Sequence, residues 1–196
     1  HWEWCELAQT QQRLAVVAPR DHSKSEPFTV DQIAWRSQFT TGFWSYVFSA
    51  TLDQAKALLE RIVTAIEAAD PDLVERATKN TTTEVILANR ARITVAGARK
   101  AVRGAHPDLI VLDDVLEEDK CRTRYQREKT KSWFTSTVSN MVHPSEERWV
   151  RLTRRRRERH QFGSTIIHLV GTPFHDEDLM MSMRKNRSYH FRRYAG

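Results

Sequence analysis

The sequence predicts an α/β protein with a mostly parallel sheet and helices on both faces. Three observations carry that expectation. Short runs of branched aliphatic residues alternate with longer segments of helical periodicity, the arrangement that builds parallel sheets. Residues 107–114, Pro107-Asp108-Leu109-Ile110-Val111-Leu112-Asp113-Asp114, set an aliphatic run ahead of two carboxylates, as suits a strand buried on both faces. The composition is that of a globular chain, with 40% hydrophobic and 29% charged residues. Its 196 residues are enough to enclose a core, and with no repeat or low-complexity linker they are expected to form one domain over 1–196.

Each element has its own signal. Residues 1–11 read as the end of a helix, and Leu14 to Ala18 as a short buried strand followed by a polar turn. Pro27 fits the first turn of a helix that runs to about Phe39. Tyr46 to Phe48 is a second strand. Ala55, Leu58, Leu59, Ile62, Val63 and Ile66 recur at helical spacing behind a Thr51/Gln54 capping box, and Pro71 marks the end of that helix. Glu84 to Leu87 and Arg92 to Val95 read as a hairpin closed around Asn89. A charged helix is expected over roughly 118–141, then an arginine-rich connection. Thr165 to Val170 is taken as the last strand, and it runs into Gly171-Thr172-Pro173.

Several classes of function are made less apt by composition. No stretch approaches the roughly 20 apolar residues of a membrane span, and no signal peptide is visible. The chain begins with His1 rather than Met, so a preceding segment is expected. Cys5 and Cys121 match no metal-ligand spacing and suit a reducing compartment. The net charge of +6 and pI near 9.6 lean toward a polyanionic partner.

Residues 18–25, Ala18-Pro19-Arg20-Asp21-His22-Ser23-Lys24-Ser25, lie between a predicted strand and a predicted helix. They fit the phosphate-binding pattern G-x-x-x-x-G-K-[ST] with both glycines replaced. Backbone N–H groups at the helix start can still face a phosphate. In this reading Lys24 reaches the β- and γ-phosphates of ATP, Ser25 ligates Mg²⁺, and Arg20 lies against the γ-phosphate as an arginine finger in cis. Asp21 opposes phosphate by charge, and a plain strand–turn–helix with an exposed Lys-Ser is the alternative.

Two acids at the carboxyl end of a buried strand sit where open α/β sheets bind ligands. Asp113 is placed to hold Mg²⁺, and Asp114 to orient the attacking water. Glu117 is the second candidate for the water, with Glu118 beside it. The competing reading has the pair capping a helix that begins near 116. Gly171 and Thr172 follow another strand, where a hydroxyl beside a flexible glycine is suited to sensing the γ-phosphate. His175, Asp176, Glu177 and Asp178 more simply begin a helix than hold a metal.

Together, Pro-Arg-x-x-x-Lys-Ser, Arg103-Gly104 followed by Pro-Asp-Leu-Ile-Val-Leu-Asp-Asp, and Gly-Thr-Pro-x-His-x-x-Asp-Leu resemble the large subunit of the tailed-bacteriophage terminase, over nearly the whole chain. The resemblance implies an additional-strand (ASCE-type) P-loop ATPase fold. It also implies a homo-oligomeric ring, a pentamer by analogy, working on the portal protein with the small terminase subunit. The moving substrate is then double-stranded DNA and the setting the host cytoplasm, transiently at the procapsid portal. By the same resemblance Gly171 and Thr172 form a coupling motif. The family continues into a nuclease domain that this chain does not include, so DNA cleavage is not assigned to it. Its adenine-binding segment is expected in residues 1–13 or before them.

Arg154, Arg155, Arg156, Arg157 and Arg159 precede the Thr165–Val170 strand. Guanidiniums suit phosphates because they donate paired hydrogen bonds. The run reads as a solvated loop, a sequence-independent DNA contact, or a subunit contact that supplies an arginine in trans. The leading expectation is an ATPase that translocates DNA. The alternatives are a helicase-like P-loop ATPase and a non-catalytic DNA-binding module on a degenerate P-loop fold.

Overall fold

The computed structural model describes residues 2–20, 22–151 and 156–194. α1 (Trp2–Thr10) leads into β1 (Arg13–Val17). A wide π-type turn over Glu26–Asp31 then continues into α2 (Gln32–Phe39). β2 (Trp44–Ser49), α3 (Leu52–Ala69), α4 (Pro71–Glu75), β3 (Lys79–Asn80), β4 (Glu84–Ile86), β5 (Arg92–Gly97) and β6 (Leu109–Asp113) follow. The chain continues through α5 (Arg124–Trp133), β7 (Glu146–Arg151), β8 (Arg157–Phe162), β9 (Ile166–Gly171), α6 (Leu179–Ser182) and β10 (His190–Arg193).

One sheet runs in the order β10-β1-β9-β6-β2-β5-β4-β3. Its pairings from β10 through β5 are parallel, and β4 and β3 add an antiparallel edge. β9 lies between β1 and β6, which is the additional strand that the terminase resemblance implies. The register sets Val17 beside Gly171, Val170 beside Asp113, and Asp113 beside Ser49. The carboxyl ends of four strands therefore meet along one crevice.

Period-two alternation sorts the core into two layers. On one face Leu109 and Val111 join Val47, Ile93 and Val95 beneath α3. On the other, Ile110 and Leu112 join Phe48, Leu169, Trp133 and Leu179. α3 buries Ala55, Leu58, Leu59, Ile62 and Ile66, and the Thr51/Gln54 capping box is formed. Each of its larger aliphatics is worth about 1.5–3 kcal/mol when fully buried. The hairpin expected at Glu84–Val95 is also present.

Three expectations need correction. The 118–141 segment is not one helix: a 3-10 turn covers Glu118–Lys120, and α5 begins only after Thr123, which forms a second capping box with Gln126. The break lets Val115, Leu116 and Cys121 turn into the core. Within the arginine-rich stretch, Arg157 and Arg159 do not lie in a solvated loop: both are on β8, which pairs antiparallel with β7. Thr165–Val170 is not the last strand, because β10 adds to the edge beside β1.

Candidate nucleotide site

Leu14 and Val16 of β1 pack against Trp4, Leu7, Ala8 and Phe28, while Ala15 and Val17 face the opposite layer. This fixes the strand and aims the 18–25 turn at the crevice. The turn closes through Ala18 N–H donating to the Gly171 carbonyl (3.3 Å) and Glu26 N–H to that of Ser23 (3.1 Å). Ser23 has φ +50°, a left-handed conformation that a glycine adopts without the Cβ cost. The pattern places its second glycine at this position.

Lys24 is 5% exposed. Its Nζ lies 3.2 Å from Asp114 Oδ2 and donates to Thr172 Oγ1 at 3.2 Å. Thr172 Oγ1 donates in turn to the Ala18 carbonyl at 3.3 Å, and Thr172 N–H donates to Asp114 Oδ1 at 3.0 Å. The expected phosphate lysine, second acid and sensor threonine are thus one connected group.

Asp113 is 2% exposed. Ser25 Oγ donates to its Oδ1 at 2.8 Å, and Thr29 Oγ1 donates to its Oδ2. Burial pushes the Asp113 carboxyl up to about 6, and the two hydroxyls pull against that rise. Thr29 was not anticipated. It stands four residues after Ser25, so a helix beginning there brings both hydroxyls to one face, a signal the sequence does contain.

Strict alternation sends the side chains of adjacent strand residues to opposite faces. Asp114 escapes this because it has left the strand: its φ is +44°, a region that Asp tolerates better than most residues. Both carboxylates therefore reach the same crevice, and neither caps the helical turn that begins at Glu118. Gly171 completes the fit through its small size. A Cβ there would lie 3.1 Å from Asp114 Oδ1.

A cleft of about 430 Å³ opens beside this group, with Arg20, Lys24, Gln54, Asp114, Thr172 and Phe174 in its wall. Arg20 lies over the Phe174 ring, 5.3 Å from its centroid. Glu117 and Glu118 also line the cleft, and Glu117 pairs with Lys120. Pro19 is half-buried, and His22 is an exposed loop residue whose Nδ1 lies 2.9 Å from the Arg20 carbonyl. Asp21 lies outside the described residues.

A smaller cleft of about 250 Å³ is lined by Ser25, Ser49, Gln54, Asp113 and Asp114, among others. The oxygen donors around Asp113 fit a hard cation such as Mg²⁺, and Asp113 makes no ion pair among the described residues. Asp178 caps α6 and accepts from Met181 N–H at 2.9 Å. Among the described residues no cluster of three or more His, Cys, Asp or Glu could hold an ion.

Of the basic run, Arg157 and Arg159 lie on β8, and the β7–β8 hairpin is anchored by Arg148 to Asp108, at the amino end of β6 and so at the opposite end of that strand from Asp113. Arg157 and Arg159 lie 5.0 and 5.6 Å from the ring centroid of Trp149, which is 58% exposed. Arg159 pairs with Glu147, and Arg156 with Glu158. Arg154 and Arg155 lie outside the described residues.

The sheet order, with its inserted strand and its crevice at the strand ends, defines the additional-strand P-loop-type fold. No protein-family model matches the sequence, and comparison with curated proteins finds no match. Among solved structures, the large terminase of the thermophilic bacteriophage D6E aligns with a TM-score of 0.53 at 7% identity, over 99% of this chain and 44% of that one. The large terminase ATPase domain of Thermus phage P74-26 aligns at 0.47 and 15% identity, over 84% of this chain and 61% of that one. An arginine-to-alanine variant of that domain gives 0.49 and 14%, over 88% and 64%. The chain thus spans less than two thirds of each of these structures. The D6E likeness establishes a shared fold.

Proposed function

We propose that this chain is the ATPase domain of a viral DNA-packaging motor, which hydrolyses Mg-ATP to move double-stranded DNA. The observation that carries the reading is the convergence of Lys24, Ser25, Asp113, Asp114 and Thr172 at the ends of β1, β6 and β9. The D6E fold and the motif resemblance support it.

In this reading the turn's backbone N–H groups receive the β-phosphate, and Lys24 exchanges Asp114 and Thr172 for phosphate oxygens. That exchange matters for catalysis. While Lys24 holds Asp114 Oδ2, the carboxylate is occupied; once the lysine turns to phosphate, Asp114 is free to accept a hydrogen bond from the attacking water. The water adds to the γ-phosphorus as the bond to the β-phosphate oxygen breaks. Asp114 orients it, with Glu117 as the alternative. Ser25 and Asp113 are placed to hold Mg²⁺. Bound there, the ion neutralises charge building on the phosphate oxygens.

Arg20 reaches the same cleft and can swing from Phe174 to the γ-phosphate. Thr172, joined to both Lys24 and Asp114, registers loss of the product phosphate and passes it along β9 with Gly171. The hairpin arginines serve as a DNA contact in this reading. Portal protein, small terminase subunit and a ring of copies are the partners that the resemblance implies.

The test is steady-state ATP hydrolysis with and without DNA. Lys24→Ala should lower turnover at least 100-fold. Thr172→Ala should still bind nucleotide but lose the DNA-dependent part of turnover. Normal DNA-coupled turnover by Thr172→Ala would remove its coupling role, and full activity of Lys24→Ala would remove the ATPase reading.

A further inference from the structure

The large cleft beside Lys24 and the smaller one beside Asp113 share two wall residues, Asp114 and Gln54. Asp114 is engaged at both oxygens, by Thr172 N–H and by Lys24. Gln54 is engaged at one end alone. Its Oε1 accepts from Thr51 N–H at 3.3 Å and from Ser49 Oγ at 3.5 Å, which fixes which end of the amide is oxygen. Its Nε2 makes no hydrogen bond among the described residues. Gln54 therefore brings a clamped side chain with two unused N–H donors to the boundary between the clefts.

On the ATPase reading, the γ-phosphate lies between the Lys24 ammonium and the Ser25–Asp113 pair, because it must touch both Lys24 and the metal held by Asp113. That place is the boundary where Gln54 stands. We propose that Gln54 Nε2 donates to a γ-phosphate oxygen and so distinguishes ATP from ADP. A donor facing an ionised oxygen makes a short, charge-assisted bond. ADP leaves that bond unmade. The capping box carries the contact into the first turn of α3, a long helix packed on β5 and β2. A triphosphate bound in the crevice is thereby tied to α3 as well as to β9.

The inference rests on the ATPase reading, and one experiment separates the two. Calorimetry compares Mg-ADP with a non-hydrolysable Mg-ATP analogue in the wild type, Gln54→Glu and Gln54→Met. Glu is a preferred capping-box partner at this position, so Gln54→Glu keeps the helix start and removes both donors; Gln54→Met removes them without adding charge. Thermal melts establish that each variant is folded. Mg-ADP should bind all three alike, and the analogue should bind both variants at least tenfold more weakly than the wild type. An unchanged triphosphate-to-diphosphate affinity ratio in Gln54→Met overturns the Gln54 contact alone. A folded wild type that binds neither nucleotide overturns the ATPase reading and the contact with it.

Discussion

Asp113 is the residue on which the crevice turns. Its carboxyl titrates near 6 rather than at the usual value because it is buried. Folding therefore favours its protonated form. That favour is complete below the unfolded pKa of about 3.9, fades as pH rises through about 6, and is absent above it. Metal-free protein should accordingly lose stability between pH 4 and 7, and Asp113→Asn should flatten that part of a melting-temperature profile. At pH 8 the Asn variant should be more stable than the metal-free wild type by about 1–3 kcal/mol. An identical profile in both proteins would show that Asp113 is ionised without penalty. Mg²⁺ affinity should fall below pH 6, since the proton competes for the same oxygens. Both acids were legible in the sequence, because the aliphatic run that ends in them stands between two other motifs in the order of a P-loop ATPase. Their shared direction was not. It depends on the left-handed backbone at Asp114, a conformation that pattern alone does not specify.

At the scale of elements, α3 and β6 announced themselves through periodicity, whereas the β7–β8 hairpin did not. Its strands carry charge on both faces, so the alternation that marks a half-buried strand is hidden. What seats the hairpin is tertiary: Arg148 pairs with the buried Asp108 outside it, while its guanidinium stacks within the hairpin, 3.7 Å from the Phe162 ring centroid. Val150 fills the space over Gly42, where a Cβ would come within 2.6 Å of Val150 Cγ2. Gly42 also has φ +74°, which disfavours any other residue. Gly42→Ala should therefore cost about 2 kcal/mol from backbone strain and crowding together, read by denaturant titration. Hydrogen exchange should show β7 and β8 opening first. A loss below about 0.5 kcal/mol would mean that the hairpin is not seated on Gly42. β10 escaped notice for a related reason: it is a short edge strand rich in charge, as edges commonly are.

For the whole molecule, sheet order decides which residues meet. The insertion of β9 between β1 and β6 brings Thr172 to Lys24 and Asp114, although 148 positions separate Lys24 from Thr172. No local pattern encodes that order; it entered through the resemblance of three motifs, and the sheet bears it out. The basic hairpin lies away from the crevice, so DNA binding and nucleotide binding should be separable by mutation. Changing Arg157 and Arg159 together to Ala should weaken DNA binding and lower the slope of log affinity against log salt by about 1–2, with Mg-ADP affinity unaltered. An unchanged slope would place the DNA contact elsewhere. The 18–25 turn should hold a nucleotide despite its missing glycines. Calorimetry of Mg-ATP binding to the wild type and Lys24→Ala decides this: Mg²⁺-dependent binding that the substitution removes is expected, and equal binding by both proteins, or none by a folded wild type, would rule out the nucleotide site.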